Sequence, residues 1–77
     1  MTFPIYRKLS NEKSFYKIVS ADSFIELQKI GAKIRRHTVI AQQFPEKLRI
    51  QDMISLADGF LSCDETEYES IDRFATK

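Results

Sequence analysis

The 77-residue sequence predicts a small, mainly α domain of three to four helices with an extended N-terminal segment. Three observations carry that expectation. Apolar residues recur at three- and four-residue spacing in several separate stretches. The stretches open on Ser, Asp or Pro residues suited to a helix start. Pro45 and Gly59 bracket one of them, as a helix entry and a left-handed exit would. The competing reading is α+β, with an N-terminal β-hairpin packed on helices.

Residues 1–9 read as extended, because Pro4 fixes its own backbone and biases Phe3 away from helix. Ser10-Asn11-Glu12 then resembles a helix start, and Phe15, Ile18 and Val19 form a short apolar stripe. The rival for this stretch pairs residues 5–9 with 15–19 as a hairpin across a turn at 11–13. From residue 22 to 43 the spacing predicts one long helix, with Ser23 and Glu26 as a capping box. On its wheel Phe24, Leu27, Ile30, Ile34 and Ala41 share one side, and Lys29, Lys33 and Arg36 the opposite side. Two features pull against that helix. Gly31 sits at its middle, and His37-Thr38-Val39-Ile40 is β-prone, so a strand over 33–41 follows if Gly31 ends the helix.

Pro45 and Glu46 open a second helix with the stripe Ile50, Met53, Ile54, Ala57 and Leu61, closed by Gly59. Ser62-Cys63-Asp64-Glu65 is again a capping box. It leads into a third helix carrying Tyr68, Ile71 and Phe74 and ending within residues 73–77.

Length and composition frame the function. Apolar residues are 43% and charged residues 30%, the balance of a globular chain, and residues 1–77 make a single domain. No apolar run approaches the ~20 residues of a membrane span, so no membrane association is expected. Residues 1–8 lack the order of a signal peptide, and one cysteine allows no internal disulfide. A cytoplasmic setting follows as the expectation. The net charge of +1 hides an asymmetry. Residues 1–50 hold ten Lys/Arg and four acids, and residues 51–77 hold seven acids and two Lys/Arg. Three arrangements fit: the acidic end folds back on the basic part, a basic face stays open to a polyanion, or chains associate head to tail.

No motif specifies a reaction. Cys63 and His37 are the only thiol and imidazole, so any nucleophilic dyad would have to be those two. No Cys-x-x-Cys or His-x-x-x-His spacing exists, and Asp58-Gly59 with Asp64-Glu65 fails the calcium-loop spacing. Two glycines cannot build a phosphate-binding loop. The expectation is therefore no catalytic residue, no metal and no cofactor. The function expected is a small non-enzymatic protein-interaction module, self-associating as a homodimer through the long helix. Its partner-binding residues would be Ile25, Lys29, Lys33, Arg36 and Ile40. The alternative is a small nucleic-acid-binding regulator using Lys29, Lys33, Arg35 and Arg36 on one helix face.

Overall fold

The computed structural model describes residues 2–57 and 59–76. Its centre is a sheet. Strands β1 (Ile5–Leu9), β2 (Ser14–Ser20), β3 (Ser23–Ile30) and β4 (Lys33–Ile40) run as an antiparallel meander. Helix α1 (Phe44–Ser55) follows, then β5 (Phe60–Ser62), helix α2 (Glu65–Asp72) and β6 (Ala75–Thr76). The sheet order is β5-β1-β2-β3-β4-β6, with β5 antiparallel to β1 and β6 parallel to β4.

This overturns the mainly α expectation. The helix expected to start at Ser10 is instead the β1–β2 hairpin. The helix expected over 22–43 is the β3–β4 hairpin, with Ile30 paired to Lys33 across a two-residue turn. Gly31 takes φ of 60°, which an L side chain resists, at the first central position of that turn. Its role is therefore to reverse the chain. The capping-box spacing of Ser23 and Glu26 serves other bonds. Ser23 Oγ lies 2.7 Å from Ser20 Oγ, and Glu26 Oε2 accepts from the Tyr16 hydroxyl at 2.9 Å.

Each face of the sheet carries one helix, which explains the misleading periodicity. Tyr16, Ile18 and Phe24 point to the α1 side and bury against Ile50, Met53 and Phe60. Phe15 and Leu27 point to the α2 side and bury against Cys63 and Tyr68. A strand covered on both faces loses its apolar/polar alternation, so neighbours such as Phe24 and Ile25 mimic a helical stripe.

The two helices are real, with altered ends. α1 stops at Ser55, and Leu56 rather than Gly59 supplies the left-handed cap at φ of 61°. Leu61 belongs to β5. α1 has no basic residue in its last turn. Arg7 of β1 takes that role, its Nε donating to the Met53 carbonyl at 2.9 Å and its Nη2 to that of Ile54 at 3.2 Å. α2 is capped by Asp64, whose carboxylate accepts from the Glu67 N–H at 2.7 Å, and not by Ser62. Phe74 lies beyond its end and is 68% exposed, so it is not a core residue.

Candidate functional site

Take β1 as pointing up. The turns at 10–13 and 31–32 then lie at the top of the sheet and the turn at 21–22 at the bottom. Below Lys29 and Ile34, which pair at the top of the α2 face, the register makes three horizontal rows. Lys8, Phe15, Leu27 and Arg36 form the upper one, and Tyr6, Lys17, Ile25 and Thr38 the next. Ser20, Ser23 and Ile40 lie lowest, with Val19 beside them at the register shift.

α2 crosses the upper row. At one end Glu67 meets Lys8 at 2.7 Å, and at the other Asp72 meets Arg36 at 2.6 Å. The geometry follows from lengths. Eight helical residues span about 12 Å and four strands about 14 Å, so one short helix just bridges β1 to β4. Its width covers only part of each strand. Tyr68 reaches down to Tyr6, with ring centroids 5.3 Å apart, and the rest of the lower rows is left open. Ile40 is 62% exposed there and Val19 38%, the latter turned out by the register shift between Ile18 and Ser20.

The predicted partner-binding residues divide between the two faces. Ile25, Lys29, Arg36 and Ile40 do share one face, of a sheet rather than a helix. Lys33 does not. The two-residue turn pairs odd-numbered positions of β3 with even-numbered ones of β4, so Lys33 and Arg35 fall on the α1 face. The four residues of the nucleic-acid reading are likewise split, Lys29 and Arg36 from Lys33 and Arg35. Arg36 is also engaged, its Nε and Nη2 both donating to Asp72 Oδ1. The acidic C-terminal part thus folds back on the basic part at two points, Lys8 and Arg36.

Thr38 and Val19 complete the open area, and neither is among the contact residues expected from the sequence. The signal for Thr38 is that it and Ile40 lie two apart in a β-prone run, which puts them on one side of a strand.

β4 has a further property at its outer margin. Its pairing with β3 begins at Ile30 and Lys33 beside the tight turn, so odd-numbered β4 residues bond to β3. The Ala41 N–H, donating to the Asp22 carbonyl at 2.6 Å, keeps that parity. Even-numbered residues therefore aim their backbone groups outward. Among the described residues β6 pairs with β4 at Ile34 and Arg35 alone. Below β6, the N–H and C=O groups of Thr38 and Ile40 face outward beside the exposed Ile40 side chain.

Chemistry elsewhere is subdued. Cys63 packs with Phe15, Leu27 and Tyr68 on the α2 face, and His37 pairs across from Glu26 on the α1 face. The sheet separates them. Burial, with the Glu67 carboxylate nearby, pushes the Cys63 thiol up to about 11. Burial likewise raises the Tyr16 hydroxyl, which donates to Glu26 and accepts from Arg49 Nη2 at 3.0 Å. Among the described residues no three His, Cys, Asp or Glu are grouped to hold a metal ion, and no helix is long and apolar enough to cross a membrane. Comparison of the chain with protein-family models, with curated proteins and with solved structures finds no match.

Proposed function

We propose that this chain works by binding rather than by catalysis, as a protein-interaction module that self-associates through the lower margin of β4 and the open rows beside it. The observation that supports it most is Ile40. It is a large apolar side chain, 62% exposed, on the lower part of β4, where the outward backbone groups below β6 lack a partner among the described residues. Such a margin is a template for another strand.

Charge favours a second copy as the occupant. The top of β4 carries Lys33 and Arg35, which form no ion pair among the described residues, and its bottom adjoins Asp22. Antiparallel pairing about a two-fold axis at Thr38 joins residues 36–40 of the two copies below β6 and brings the Lys33 and Arg35 side chains of one toward Asp22 of the other. Ile40 of each copy then lies opposite Arg36 of the other, whose charge Asp72 already balances. The helix-mediated homodimer expected from the sequence has no counterpart, because no helix spans 22–43. A cytoplasmic location belongs to the same proposal and rests on the single cysteine.

Sedimentation velocity at micromolar concentration tests the proposal. The wild type should run as twice its 9.0 kDa mass. Thr38→Pro, which removes an outward N–H, and Ile40→Glu should each run as the monomer with an unchanged circular dichroism spectrum. A wild type that stays monomeric at every concentration defeats the self-association.

A further inference from the structure

We infer that the top end of the sheet is a binding site for single-stranded nucleic acid. The fold brings three separate stretches of sequence together there. Lys13 sits in the β1–β2 turn and Lys29 near the end of β3, and the Lys29 N–H donates to the Lys13 carbonyl at 2.8 Å. Lys33 and Arg35 open β4. Parallel pairing of Ala75 with Ile34 brings Arg73 and Phe74 to the same end.

These five cations face one acid in the two turns, Glu12, which already lies 3.5 Å from Lys8 Nζ. Lys13, Lys33, Arg35 and Arg73 make no side-chain ion pair among the described residues, and each is exposed. Lys29 sits over the Phe15 ring at 5.3 Å, which holds its ammonium in place without neutralising it. The division of these cations between two faces matters less at a sheet end, where a strand laid across the tip passes both. Phe74 supplies the second requirement. It is 68% exposed beside the cations, and an aromatic face is a platform on which any base can stack. Cations for phosphates and one exposed ring fit a flexible single strand better than a rigid duplex. Lys13, Lys29, Arg73 and Phe74 lie apart from the proposed self-association contact, whereas Lys33 and Arg35 are shared with it, so the nucleic acid and a second copy compete for those two cations and the binding itself needs no dimer.

Fluorescence anisotropy with a labelled 20-nucleotide single-stranded oligonucleotide tests this. Four neutralised phosphates imply a log–log salt slope of about −3, so affinity should fall about 50-fold from 50 to 200 mM salt. Lys33→Ala with Arg35→Ala should make the slope shallower by about 1.4. Phe74→Ala should weaken binding about tenfold and leave the slope alone. Lys47→Ala, an exposed cation on α1, should change neither. All these side chains are exposed, and a wild-type circular dichroism spectrum confirms that each variant folds. Absence of binding at 50 mM salt overturns the inference. So does a loss in Lys47→Ala equal to that in the double variant. An unchanged affinity in Phe74→Ala, tighter binding of a duplex, or binding to phosphatidylserine vesicles in place of the oligonucleotide overturns it equally.

Discussion

The two faces of this sheet are covered to different depths, and helix length sets the difference. α1 has twelve residues and lies against strands from both halves of the sheet, so Tyr16, Ile18, Phe24, Ile50 and Met53 are all buried. α2 has eight and spans one row, so Phe15, Leu27 and Tyr68 are buried while Ile40 and Val19 stay open. Apolar character alone does not mark a core residue here. What matters is whether a helix is long enough to lie above it.

Paired truncations sharpen the contrast most. Ile50→Ala under α1 should cost about 3 kcal/mol in denaturant unfolding, a large share of the stability of a domain this size. Ile40→Ala in the open rows should stay within about 0.5 kcal/mol when measured at monomeric concentration. Equal costs would mean that the lower rows are covered after all.

The next effect is one of pH, on the α2 side. Cys63 ionises near 11 when folded but near 9 in an unfolded chain. Its contribution is therefore fully present below pH 9 and is lost as pH rises through 11. Wild type should lose up to about 2 kcal/mol over that window relative to Cys63→Ala, followed by urea midpoints at fixed pH values. Parallel pH curves for the two proteins would show that α2 leaves the thiol solvated.

A smaller effect belongs to the α1 side. Arg7→Ala strands two carbonyls at the end of α1 and should destabilise by about 1.5 kcal/mol. The amide of residue 55 should exchange faster in the variant, and unchanged protection would show that water replaces the guanidinium without loss.

α1 was readable because only one of its faces is buried, so Ile50, Met53 and Ile54 keep a 3.6-residue period behind Pro45. α2 was readable from the acids gathered at its start, although Asp64 and not the expected Ser62 caps it. The strands were not, because both of their faces are covered and period two disappears. Ser23 and Glu26, three residues apart, counterfeited a helix cap, yet they bond across strands to Ser20 and Tyr16. Ile25, Lys29, Arg36 and Ile40, expected on one side of a helix, lie on one side of a sheet, since within each strand a separation of four preserves both. Lys33 failed that test because the turn at Gly31 exchanges the parity of the two strands.

Local chemistry along the chain was enough to determine that two helices follow residue 43, a breaking glycine at 31 and the uneven placement of charge. Those features depend on neighbouring residues alone. Which strands pair, which rows α2 shelters, and the gathering of Lys13, Lys33 and Arg73 at one tip were decided only in three dimensions. Each depends on contacts between residues tens of positions apart, and such contacts carry no signature in a local period.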